Sequence, residues 1–230
     1  MPRRYRRYSN RRRNKYGRYA KYAGQAIYPL YKPFAGQVAL HLAKKAISMM
    51  NVEYKHHDVQ ISVTSVSQTP TITQLTNIGQ GDTSSTRDGD SIKITAIHLK
   101  GIVALHTSAA TSQYRVMLIL DKQTNGAIYN ASDVLEDTTA VDNLISPLNL
   151  DNKYRFRVLM DKLITLSNGG GNESVTWQRH IKLNQHIRFG GTAGTIADLN
   201  TYSLSLMVMS NEPTNVPNHS IYSRIRYVDN

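Results

Sequence analysis

Three carboxylates, Asp82, Asp88 and Asp90, fall within the single stretch GDTSSTRDGD. Oxygen ligands of this kind suit a hard cation, so the stretch is a weak calcium candidate. The same residues also favour turns, because an Asp side chain accepts hydrogen bonds from backbone just ahead of it. His56 and His57 are adjacent. In a strand they point to opposite faces and cannot share a metal, and no His-x-Glu or Glu-x-x-His pair accompanies them. A thiol nucleophile is excluded because the chain has no cysteine. No serine stands in Gly-x-Ser-x-Gly. Gly169–Gly171 lacks the Lys-Ser/Thr that a phosphate-cradling loop needs, and the glycines at 190–194 have too little room for a following helix, so both read as hairpin loops. The residues therefore point to no catalysis, no cofactor and no committed metal site.

The chemistry lies in the opening run, MPRRYRRYSNRRRNKYGRYAKY. Its cations are Arg3, Arg4, Arg6, Arg7, Arg11, Arg12, Arg13, Lys15, Arg18 and Lys21, with Tyr5, Tyr8, Tyr16, Tyr19 and Tyr22 interleaved and no acid among them. Arginine and lysine neutralise phosphates and release condensed counterions, which drives binding without sequence preference. Tyrosine rings offer flat faces on which unpaired bases stack, so the mixture suits a single strand better than a duplex. A short basic run of this kind also serves as a nuclear-localisation signal, which makes host nuclear import machinery a second partner.

Charge is not spread along the chain. Of the 28 Lys and Arg residues, 13 precede the first acidic residue, Glu53, which leaves 15 against 16 Asp and Glu in the remainder. A strongly basic segment thus joins a nearly neutral body, an asymmetry typical of nucleic-acid or membrane contact.

The elements that must carry this run divide the chain into three. Residues 1–33 lack helical or strand period and are expected to be disordered alone. Residues 34–52 form an amphipathic segment with a helix over 34–50: Val38, Ala39, Leu42, Ala43, Ala46 and Met49 share one face, and His41, Lys44 and Lys45 the other. Residues 53–230 turn to a period of two. Strands are expected at 58–66, 71–78, 91–105, 113–121, 153–166, 174–189, 202–209 and 220–228. Val59, Ile61 and Val63 form the buried side of the first, and Tyr154, Phe156 and Val158 share one side of the fifth. The third alternates through Ile92 and Ile94, then changes phase to Ile97 and Leu99, as a bulge requires. The fourth is apolar on both faces and should be central. The long connection 127–152 holds a short helix at SDVLED. Eight strands without intervening helices argue for an all-β antiparallel sandwich, of which the jelly roll is the eight-stranded form. No segment is apolar for long enough to span a bilayer. The body is expected to be soluble, and the Asn-x-Ser sites at Asn130, Asn172 and Asn218 to be coincidental.

An Arg/Tyr-rich arm before an eight-stranded body resembles the capsid proteins of circovirus-like, Rep-encoding single-stranded DNA viruses. IGQGDTSSTRDGDSIKITAIHLKG (78–101), RVMLILDKQTNGA (115–127) and NLDNKYRFRVLMDK (149–162) carry the likeness. Through the 78–101 region the body also resembles the satellite tobacco necrosis virus coat protein. The resemblance implies a jelly-roll subunit that assembles with copies of itself into a small icosahedral shell, with arms directed at a single-stranded genome, DNA ahead of RNA. It implies a virion protein that visits the host nucleus during assembly. The competing reading is a non-viral single-stranded nucleic-acid-binding module or chaperone.

Overall fold

The computed structural model describes Leu40, Leu42 and residues 53–229. Leu40 and Leu42 are helical and exposed. The arm residues and the rest of the expected 34–50 helix lie outside the described residues.

The body has nine strands: β1 (Glu53–Ser65), β2 (Thr71–Gln74), β3 (Ser91–Ala104), β4 (Thr111–Asp121), β5 (Phe156–Ser167), β6 (Ser174–Phe189), β7 (Leu199–Thr201), β8 (Ser203–Ser210) and β9 (Asn218–Asp229). They form two sheets, ordered β1-β9-β3-β6-β7 and β2-β8-β4-β5. Every pairing is antiparallel. Without β7, the orders β1-β9-β3-β6 and β2-β8-β4-β5 are those of a jelly roll, two Greek keys rolled together. The extra strand, β7, three residues long, was not expected from the sequence: a run that short has no period to detect. It extends the end of β6 through Arg188↔Thr201 and Phe189↔Leu199.

The main core lies between the sheets. Ile92, Ile94, Ile97 and Leu99 of β3 face Tyr114, Val116, Leu118 and Leu120 of β4, and Leu204, Leu206 and Val208 of β8 join them. The other face of the four-stranded sheet is covered as well, which explains why β4 and β8 are apolar on both sides. Met117, Ile119, Met207 and Met209 meet Tyr129, Val134, Leu135 and Leu144 of the long connection. That connection holds one turn of helix, α1 (Ala131–Val134), and a 3₁₀ turn at Asp142–Leu144. It is tied down by Arg115, which reaches Asp161 with Nε and Nη2 at 2.9 and 2.6 Å and donates from Nη1 to the Asn143 carbonyl at 2.7 Å.

Two bulges decide which side chains enter which core. In β3 the register breaks between Ile94 and Ala96 against both neighbours, where the apolar phase shifts. In β5, Met160 pairs with Leu118 but Val158 pairs with Ile119, so Leu159 is the extra residue. Phe156 and Val158 thereby pack under the long connection, while Met160, Ile164 and Leu166 turn into the main core. Tyr154 does not share their side: it precedes the strand and is 79% exposed. A third break, between Ile61 and Thr64 of β1, turns Val63 to solvent, and β1 starts earlier than expected, at Glu53. Of the second expected strand, 71–78, only Thr71–Gln74 pairs; Leu75 and Ile78 are instead buried in the loop that follows.

That loop is organised by Arg87, whose side chain is fully buried. It donates from Nε to the Ile78 carbonyl at 3.3 Å and from Nη1 to the Gly89 carbonyl at 2.5 Å. Nη2 reaches the Gly191 carbonyl, and the guanidinium lies 4.2 Å above the centre of the Phe189 ring. One fork thus joins the β2–β3 loop to the turn after β6, a use that a flexible ammonium could not fill.

Candidate nucleic-acid interface

The fifteen arm residues that carry the expected nucleic-acid chemistry, Arg3 to Tyr22, lie outside the described residues. The body supplies a surface that sequence reading missed. On the face of the five-stranded sheet turned away from the core, register sets residues of four strands in rows. One row runs Asp58, Arg224, His98, His180 across β1, β9, β3 and β6, and the next runs His56, Arg226, Ala96, Lys182. Lys100 follows on β3 opposite Gln178, and Lys93 pairs with His186 beyond the bulge. Arg188 closes the face opposite Ser91.

Six Lys and Arg side chains therefore share this face with four histidines and a single acid, Asp58. That acid is consumed locally. Arg224 donates to it from Nε and Nη2 at 2.8 and 2.7 Å, and the Tyr222 hydroxyl donates at 2.6 Å. The hydrogen bonds from Arg224 outweigh partial burial and hold the Asp58 carboxyl down at about 2. Lys93, Lys100, Lys182, Arg188 and Arg226 have no acidic partner among the described residues.

The counterweight lies on the opposite side of the sandwich. Asp133, Glu136, Asp137, Asp142 and Asp151 all stand in the connection that covers the four-stranded sheet, where no Lys or Arg occurs between Lys122 and Lys153. The nearly neutral body is thus polarised, cations outside one sheet and carboxylates outside the other. The alternation of cations in HIKLNQHIR and SRIRYV was a visible signal. The charge count hid it by adding both sides together.

The three aspartates of the calcium candidate are not brought together. Asp88 accepts from Lys55 Nζ at 2.8 Å, and Asp90 lies 3.4 Å from Arg87. Lys55 is itself buried against Asp88 and Asp229; burial opposes its charge, but the hydrogen bonds from both carboxylates prevail and raise its pKa. Among the described residues no group of three His, Cys, Asp or Glu side chains is placed to hold a metal ion. His56 and His57 sit on opposite faces of β1, and His57 Nε2 lies 3.2 Å from the Asn77 side-chain oxygen. No described helix is long and apolar enough to cross a membrane.

A family model described as satellite tobacco necrosis virus coat protein matches residues 36–230. No curated protein matches significantly. Among solved structures, Desmodium yellow mottle tymovirus is 9% identical with a TM-score of 0.34, covering 78% of this chain and 89% of its own. Tomato aspermy virus is 10% identical with a TM-score of 0.32, covering 83% and 93%. Naturally occurring empty particles of cowpea mosaic virus give 11% identity and a TM-score of 0.35, covering 77% and 86%.

Proposed function

The chain belongs to the satellite tobacco necrosis virus coat protein family, and from that premise we propose that it packages a single-stranded nucleic-acid genome through the basic run at residues 3–22. Its role is structural: a viral coat protein that self-assembles into a shell and resides in the virion. The observation that carries the packaging reading is the segregation of charge. Thirteen cations and no acid precede Glu53. The outer face of the β1-β9-β3-β6-β7 sheet adds five more cations with no acidic partner among the described residues, while the carboxylates of the long connection lie on the other side. A polyanion bound to the basic side neutralises charge that would otherwise oppose bringing many copies together. The circovirus-like segments put DNA ahead of RNA as cargo, and the same arm is proposed to be read by the host nuclear import machinery.

Expression of the full chain and of a form lacking residues 2–22 tests this reading. The full chain is expected to give closed particles containing nucleic acid, and the deletion to give folded protein without cargo. Unchanged encapsidated nucleic acid in the deletion would refute the role of the arm. Digestion of the extracted cargo by DNase or by RNase decides its type.

A further inference from the structure

The basic face is not flat. Above Ala96 the structure has a cavity of about 210 Å³ walled by His98, His180, Arg224 and Arg226. We propose that this cavity is a phosphate-binding site that takes one backbone phosphate of the packaged strand, a proposal that rests on the packaging reading above.

Geometry makes the site. The bulge after Ile94 sets Ala96 between Arg226 on β9 and Lys182 on β6, directly opposite both. The methyl group of Ala96 leaves a low floor where any longer side chain would fill the space. His98, one step along β3, stands across from Arg224 and His180, with the two imidazole centres 6.2 Å apart. The volume holds a phosphate group together with some of its water, each water occupying about 30 Å³ in the liquid. The polar side-chain atoms of the walls are all nitrogens, those of two guanidinium and two imidazole groups. Arg224 spends two of its five N–H groups on Asp58, and that pair fixes the guanidinium before any ligand arrives, so its remaining donors need little ordering. Arg226 has no acidic partner among the described residues, so its charge is available. Asp58, the only acid beside the cavity among the described residues, is already occupied by Arg224 and Tyr222. A site with a fixed fork, a free guanidinium and two imidazoles suits a tetrahedral oxyanion, and the neighbouring Lys100, Lys182 and Lys93 extend it along a strand rather than around one ion.

The test uses the full chain, dissociated into subunits and freed of nucleic acid so that the cavity is open to added phosphate. Inorganic phosphate is titrated while the imidazole signals of His98 and His180 are followed by NMR, assigned with His98→Gln and His180→Gln. Saturable movement of these two signals, absent in Arg226→Gln, is the expected result. No movement, or equal drift of all body histidines including His106, would overturn the proposal by showing only diffuse counterion attraction. In parallel, the affinity for a short oligothymidylate is measured over a salt series. Leaving one phosphate of a single strand without its cation lowers the log–log salt slope by about 0.7. Arg226→Gln is expected to lower it by that amount, and Lys162→Gln, an exposed cation of β5, to leave it unchanged. Equal slopes for wild type and Arg226→Gln refute the site. Deleting residues 2–22 in the same assay separates the two readings, since an unchanged slope there would refute the arm and leave the pocket result standing.

Discussion

Acid should weaken this fold at one identifiable side chain, His219. It is 3% exposed on β9 and sits edge-on to Tyr114, whose hydroxyl lies 2.8 Å from Nδ1. Burial pushes the imidazole down from 6.5 to about 4, because the charged form loses its water without gaining an acidic partner. Burial also raises the Tyr114 phenol, so that hydroxyl keeps its proton and offers the imidazole no negative partner. In the unfolded chain the ring takes a proton below 6.5; in the fold it resists until about 4. Stability from this group is therefore complete above 6.5, falls as pH drops through that window, and levels off below about 4. At about 1.36 kcal/mol per tenfold in proton affinity, the full loss is about 3 kcal/mol, and about 2 kcal/mol of it has gone by about pH 5. Asp58 does not interfere, since a carboxyl held at about 2 loses its contribution only below its ordinary value of 3.8. Urea titrations followed by fluorescence of Trp177, the only tryptophan in the chain and 4% exposed, measure this directly. With a slope of about 1–3 kcal/mol per molar, the wild-type midpoint should drop by about 1 M between neutral pH and about pH 5. His219→Gln should lose that much less. Parallel pH profiles for the two proteins would refute the reasoning.

Gly101 faces Trp177 across β3 and β6, and a Cβ there would stand 2.7 Å from the indole carbons. Gly101→Ala is expected to cost about 1–3 kcal/mol in the same titration; an unchanged midpoint would mean that the ring has room to move. Arg87→Met should cost about 3–5 kcal/mol, because the carbonyls of Ile78, Gly89 and Gly191 lose their buried donor, and a thermal melt within a degree of wild type would refute that role. Replacing Tyr5, Tyr8, Tyr16, Tyr19 and Tyr22 with Ser should weaken binding to single-stranded oligonucleotides more than to duplex in anisotropy titrations. Equal weakening would make the arm a charge device alone.

Most of the sandwich could be read from alternation because β1, β3, β5, β6 and β9 are long and half-buried, while β4 and β8 show themselves as apolar runs. The β3 bulge was legible for the same reason: Ile92 and Ile94 keep one phase and Ile97 and Leu99 the other. The β5 bulge was not, since the residues on both sides of Leu159 are apolar whichever core they enter. Val63 misled because an edge strand next to a register break obeys its local hydrogen bonding rather than its pattern. The motif shared over 78–101 has a physical content that sequence could not supply: Arg87 within it is a buried tie, not a surface cation. The basic run at residues 3–22 was evident from composition alone, and it lies outside the described residues. The basic face was not, because Lys93, Lys182 and Arg226 become neighbours only through register.

The polarised body gives each subunit a compass. The body by itself turns in the field of a polyanion before any contact forms, presenting the β3–β6–β9 surface first and the carboxylate-bearing connection last. Under the packaging function proposed above, copies gathered on one strand would arrive already facing the same way, so inside and outside would be decided one subunit at a time, ahead of any neighbour. Salt that screens beyond about 10 Å removes this alignment while leaving close contacts largely intact, so ionic strength should govern how many subunits join a growing shell the wrong way round.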